Sequence, residues 1–180
     1  MRFRSRHVQQ TLSDFIREGI TGLGWIQQAS EDRVFGLEED VRVIDVDPDE
    51  VATDDPEETK ALRKRLAGTV LAVSIETEDE DLVAELGGGL YRVGMPTVVD
   101  IWSDRTSVAM SLASDVKGLL RDQHIPVRDY ANEGVEVEGS YIEPVYVSIE
   151  RPSGNVIGID FKKRWRIVAF DSLVWFQDGS

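Results

Sequence analysis

The fold class predicted by these 180 residues is α+β: a mainly antiparallel mixed sheet, with two main amphipathic helices packed on one face. Three observations point to it. Apolar runs of strand length outnumber helical repeats, several neighbouring runs are joined by tight-turn residues, and each clear helical repeat carries one apolar stripe. A chain of this size buries roughly 70% of its unfolded surface, so one domain needs no disulfide or metal to hold it. With no cysteine, thiolate metal sites and a thiol nucleophile are excluded, and a reducing compartment fits.

The first helix is predicted from Ser5, which can cap it. Val8, Leu12, Phe15, Ile16 and Ile20 recur at helical spacing, and Gly19, Gly22 and Gly24 are expected to end it. Trp25 and Ile26 begin something extended or buried, and residues 41–46 read as a strand. Residues 47–58 are acidic and contain Pro48 and Pro56, which predicts an exposed loop. A short peripheral helix follows, with Asp55 at its N-cap, Pro56 at its first position and Gly68 at its end.

Residues 69–75 predict a central strand. Residues 90–102 predict a long one, with a bulge or break expected near Met95 because Gly94 and Pro96 flank it. A second helix is expected over 104–121, capped by Ser103 through the Thr106 N–H, a contact worth roughly 1 kcal/mol. Its stripe is Val108, Leu112, Val116 and Leu119. Ala109 and Ala113 beside that stripe allow close approach to the sheet or to a neighbouring subunit. Ile125, Pro126 and Val127 read as a short connection, and Asn132, Glu133 and Gly134 as a turn. Strands over 141–150 and 164–176 complete the set, with a turn at Pro152, Ser153, Gly154 and Asn155 between them.

Net charge is −14, which argues against a general nucleic-acid binder. The charge is uneven. Acids crowd residues 31–58, relieved only by Arg33 and Arg42, and residues 76–85 hold six acidic side chains, Glu76, Glu78, Asp79, Glu80, Asp81 and Glu85, with no base. Bases gather at the N-terminus and in Lys162, Lys163, Arg164, Trp165 and Arg166. Separate acidic and basic faces predict polarised contacts. No run approaches the roughly 20 apolar residues of a membrane span, so a soluble, unprocessed chain is expected.

Catalytic motifs fail one by one. His7 and His124 have no acidic or hydroxyl motif tying them together. Asp45, Asp47 and Asp49 open like a calcium loop, but Glu50 stands where the turn glycine belongs and Pro56 where the bidentate glutamate belongs. Gly89 and Gly94 have phosphate-loop spacing, yet Met95 and Pro96 replace the Lys and Ser/Thr that grip phosphate. Ser103 lacks the flanking glycines of a nucleophile elbow. No catalytic, cofactor or metal residue is expected. Trp165, Phe170, Trp175 and Phe176 lie near the basic run, which suggests either single-stranded nucleic acid or, better, a protein interface anchored by Trp and Arg.

Three stretches carry a resemblance. They are an opening helix with Arg4, Arg6, His7, Val8, Gln9, Gln10 and Leu12 leading to Gly22-Leu23-Gly24-Trp25; the unit VVDIWSDRTSVAMSLASDVKGLL; and the pair YIEPVYVSIERPSG and KKRWRIVAFDSLVWF. With these the chain resembles the tail terminator (tail-completion, minor tail) proteins of long-tailed bacteriophages, especially of the actinobacteriophage type. Residues 45–66 have no counterpart in that pattern and read as an acidic insertion in one domain spanning 1–180.

The resemblance implies a non-enzymatic virion subunit without cofactor. It would assemble in the host cytoplasm as a hexameric ring at the head-proximal end of the tail. That ring would stop tube polymerisation, touch the tail tube protein and the head–tail connector, and let DNA pass without specific binding. Candidate interface residues are Lys162, Lys163, Arg164, Trp165, Arg166, Trp175, Phe176, Ala109 and Ala113; candidate channel-facing acids are Glu78, Glu80, Asp81, Glu136 and Glu138. The alternatives are another neck or head-closure protein, a small hydrolase or nucleotide-binding enzyme, and an acidic mimic of DNA.

Overall fold

A computed structural model describes residues 5–27, 40–44, 69–75, 84–85, 89–103, 105–151 and 164–177. The chain is α+β. Helix α1 spans Ser5–Gly22, and Val8, Leu12, Ile16 and Ile20 on its stripe are fully buried, as their spacing predicts. Its end is a Schellman motif. The Trp25 N–H reaches the Ile20 carbonyl and the Gly24 N–H the Thr21 carbonyl, both at 3.1 Å, with Gly24 at φ +97°. Gly19 does not end the helix. It lies inside, where a Cβ would come within 2.8 Å of Leu119, so its role is close approach to the second helix.

Strands β1 (Ile26–Gln27), β2 (Asp40–Ile44) and β3 (Thr69–Ile75) follow, then the short β4 (Ala84–Glu85) and the long β5 (Leu90–Ser103). Helix α2 spans Thr106–Leu120. After it come β6 (Ile125–Asp129), a 3₁₀ turn at Tyr130–Asn132, β7 (Val135–Glu150) and β8 (Arg164–Gln177). The sheet order is β1-β2-β3-β5-β8-β7-β6, with β4 pairing β5 alongside. The pairs β1–β2 and β2–β3 are parallel and all the others antiparallel, so the sheet is mixed.

Alternation sets the two faces. Met95, Thr97, Val99 and Ile101 of β5 point inward beside Leu71 and Val73 of β3, Val168, Phe170 and Val174 of β8, and Ile142 of β7. Val108, Leu112, Val116 and Leu120 of α2 join them and the α1 stripe in one apolar core, so both helices cover the same face. Leu120 completes the buried stripe, and Leu119 is half-buried beside Gly19.

Several expectations need correction. Residues 125–127 are strand, because Ile125 and Val127 both turn inward while Pro126 is exposed. Strand β6 ends the sheet and carries one ladder, which is where a strand accepts proline. No break occurs near Met95: β5 holds one register against β8 from Leu90↔Gln177 to Ser103↔Arg164. Pro96 lies one residue beyond the last β3 pair, Ile75↔Thr97, where its missing N–H costs no ladder bond on that flank. The irregularities fall instead in β7, between Val145 and Ser148, and in β6, between Pro126 and Arg128.

Ser103 is not the cap of α2. Strand β5 runs on through it, and the helix starts two residues later than such a cap requires. Arg105 takes the cap position, and its carbonyl accepts the Ala109 N–H at 3.1 Å. Ser103 is 2% exposed; its hydroxyl lies 3.0 Å from that of Thr69 and accepts the Arg105 N–H at 3.3 Å. The short peripheral helix, the turn at 152–155, Asp104 and the acidic stretch 45–66 lie outside the described residues.

Candidate interaction surface

With both helices on one face, the other face of the sheet carries the second row of each strand. Ser74, Val98, Ala169 and Ser148 form one cross-strand row over β3, β5, β8 and β7. Above this row of short side chains the face is concave, with a groove of about 690 Å³. Asp100, Asp171 and Glu150 stand in its walls, and no base is among the described residues that line it. The β7 bulge supplies the rim. There Tyr146 has φ +56°, a region unfavourable for a residue with a side chain, and is 86% exposed.

A different cluster occupies the far end of β8. On the helix-free face Arg92, Trp175 and Tyr141 stand side by side on β5, β8 and β7. The guanidinium carbon of Arg92 lies 5.6 Å from the Trp175 ring centre. Trp175 stacks on Tyr141 at 5.8 Å and 17°, and His124 meets Tyr141 edge-on at 5.3 Å. The indole N–H of Trp175 donates to Glu143 at 3.1 Å. Tyr91 stacks on Phe176 at 5.5 Å on the adjacent register. Apart from the His124 contact, each of these joins side chains on neighbouring strands, the arrangement that stabilises sheets pairwise.

The expected interface residues do not form one patch. Trp175 and Phe176 belong to this aromatic end, whereas Arg166 pairs with Ile101 near the other end of β8. Arg166 and Trp175 are nine residue steps apart along the strand, about 30 Å at the usual rise. Arg164 and Trp165 pair with Ser103 and Trp102 at the Arg166 end, and Lys162 and Lys163 lie outside the described residues. Phe170 is a core residue, not a surface aromatic. Ala109 and Ala113 are 0% exposed in the single chain, so its own core takes both of them and no surface remains for a neighbour. Among the expected channel acids, Glu136 and Glu138 are exposed on β7, with Glu136 opposite Arg128 of β6; Glu78, Glu80 and Asp81 lie outside the described residues.

Sequence reasoning missed a polar cluster where α1 crosses β6. Asp129 accepts the Ala131 N–H at 3.0 Å and the Asn132 amide at 2.6 Å, and its other neighbour is His7 Nε2 at 3.9 Å. Asp14 accepts the Tyr130 hydroxyl at 2.5 Å and pairs with Arg17, one turn along. Burial and that bond push the Tyr130 phenol up to about 12. Arg128 donates to Glu18 at 3.2 Å, and this bond raises its pKa further above the ordinary value. Its backbone N–H reaches the buried Thr11 hydroxyl at 3.1 Å. Partners more than a hundred residues apart leave no local signal. The nearest hint is that His7, Thr11, Asp14 and Glu18 share one side of α1.

Among the described residues no group of three or more His, Asp or Glu side chains could hold a metal ion. No helix among them is long and apolar enough to cross a membrane. No protein-family model matches this sequence, and no curated protein matches it.

Proposed function

We propose that this chain is a structural, non-enzymatic subunit of a bacteriophage tail, closing in six copies into a ring that caps the tail tube and docks to the head connector. The observation that carries this reading is the side of the sheet that no described helix covers. It is concave, and its rim is built from a tyrosine held at positive φ, which suits contact with another protein chain. A closed ring uses two different faces of each subunit, and the described residues give this molecule two unlike faces, one covered by α1 and α2 and one that no described helix covers. The sequence resemblance to tail terminators supplies the kind of assembly. The net charge of −14 suits a channel through which DNA passes without sticking.

The test is native mass measurement and negative-stain imaging of the purified chain, alone and mixed with tail tubes. Six-membered rings with a central channel, or a six-fold cap on tube ends, are the expected result. A chain that remains monomeric and never associates with tubes refutes the reading.

A further inference from the structure

At the end of the sheet where β5 begins, an arginine is held without a carboxylate. Arg17 and Arg128 are half-buried and pair with Asp14 and Glu18. Arg92 is half-buried too, but its contact is the Trp175 ring at 5.6 Å, with no carboxylate or hydrogen-bond acceptor among the described residues. A ring attracts the cation yet is a weak acceptor, so the guanidinium N–H groups stay open to a carboxylate. The support beneath it is fixed. The Trp175 indole N–H donates to Glu143 at 3.1 Å, and the ring stacks on Tyr141 at 5.8 Å. Trp175 stands between Arg92 and Tyr141, so neither of its faces is left for a nucleobase to stack on. What remains for recognition is a pre-oriented guanidinium, the group that grips carboxylates bidentately.

The chain displays the complement on described residues. Glu136 and Glu138 of β7 are exposed, and Val137 between them packs against the core, so both carboxylates turn the other way. Glu136 lies opposite Arg128 in the β6 ladder, but Arg128 gives its guanidinium to Glu18. Neither glutamate has a hydrogen bond or ion pair among the described residues. The ladder of β7 with β8 begins at Tyr141, so the two acids lie beyond it, on the arm that β7 forms with β6. We infer that Arg92, on its Trp175–Tyr141 support, receives the Glu136–Glu138 arm of a neighbouring copy. Donor and receiver are different surfaces, the head-to-tail kind of contact that closes rings. This rests on the ring reading and assigns Glu136 and Glu138 to a contact between subunits instead of a channel wall.

The experiment measures association of the full-length chain by mass photometry and native mass over a concentration series at fixed salt, with thermal unfolding of every variant. Glu136→Arg with Glu138→Arg is the most informative change. It lowers the net negative charge, so general repulsion between copies predicts stronger association, whereas loss of the Arg92 contact predicts association weakened at least tenfold. Arg92→Glu should weaken association at least tenfold, and Arg92→Gln reads the same loss if the reversal at that half-buried site disturbs folding. Combining Arg92→Glu with Glu136→Arg and Glu138→Arg should restore most of the association.

Rings that form equally well in the Arg92 variants and in the glutamate reversal overturn the inference and leave the ring reading standing. Weakening by the Arg92 variants alone also overturns it, since the occupant is then wrong, as does weakening by the glutamate reversal alone. A combined variant without recovery counts against the pairing in the same way. Association that depends on Arg92 and both glutamates yet stops at two copies supports the contact and refutes the ring. A wild-type chain that never associates, with or without tubes, overturns both.

Discussion

Removing the hydroxyls of Thr97 and Ser172 separately and together tests how the centre of the sheet is specified. Both residues are buried on the helix-covered face of neighbouring strands, with their hydroxyl oxygens 2.7 Å apart. Thr97 Oγ1 also lies 2.9 Å from the Met95 carbonyl, to which only it can donate. A hydroxyl has one proton, so Ser172 must donate to Thr97 and Thr97 to Met95. Thr97→Val therefore keeps the shape but leaves the Ser172 donor buried without its acceptor, at a cost of about 1–3 kcal/mol. Ser172→Ala leaves Thr97 still donating to Met95 and should cost only about 1 kcal/mol. In the double variant the stranded donor is gone, so the combined loss should fall short of the sum by about 1 kcal/mol. Urea unfolding followed by tryptophan fluorescence gives the three differences. Losses that add within about 0.3–0.5 kcal/mol would refute the chain of donation just described.

Three other expectations are open to direct measurement. Trp25→Phe removes the indole N–H that donates to Asp115 at 2.7 Å and ties the end of α1 to α2; about 1–2 kcal/mol should be lost in urea unfolding. Leu112→Ala empties a fully buried site on α2 and should cost about 2–5 kcal/mol, whereas Val135→Ser, at a position 63% exposed, should change stability by less than about 0.5 kcal/mol. The Tyr130 phenol, raised in the folded chain to about 12 from an ordinary 10.0, binds its proton more tightly when folded. Its stabilising contribution is therefore complete below pH 10 and lost as pH rises through 12. Ultraviolet titration should show one late-ionising tyrosine, and Tyr130→Phe should remove it.

How much of this could be read from the residues follows from which interactions are local. The α1 stripe and strand β3 were legible because Val8, Leu12, Ile16 and Ile20, and the run from Thr69 to Ile75, carry the period of their element unbroken. Strand β6 was not, because three residues with a central proline do not distinguish an edge strand from a connection. The α2 cap was misplaced because nothing before Ser103 indicates where pairing with Arg164 stops. Gly94 and Pro96 suggested a break that the ladder with β8 overrides, while the real bulge, at Tyr146, bears no glycine to announce it. Of the surface residues, Trp175 and Phe176 were found by type. Their separation from Arg166 follows only from β8 being one continuous strand. The partners that define the aromatic end, Arg92 and Tyr141, come from other strands and could be known only once the register was.

Strand β8 comes last among the described strands yet lies between β5 and β7, hydrogen-bonded to both. During synthesis the residues of β5, α2, β6 and β7 emerge before the strand that joins them exists. Until it arrives, β5 and β7 each present a long unpaired edge, and the core lacks Val168, Phe170 and Val174. Folding of the sheet is thus held back until residues 164–177 have been made, and the nascent chain's time of greatest risk is set by how quickly they follow. A chain lacking that one segment would be two disconnected sheet fragments with adhesive edges, a poor competitor for assembly and a ready substrate for proteolysis.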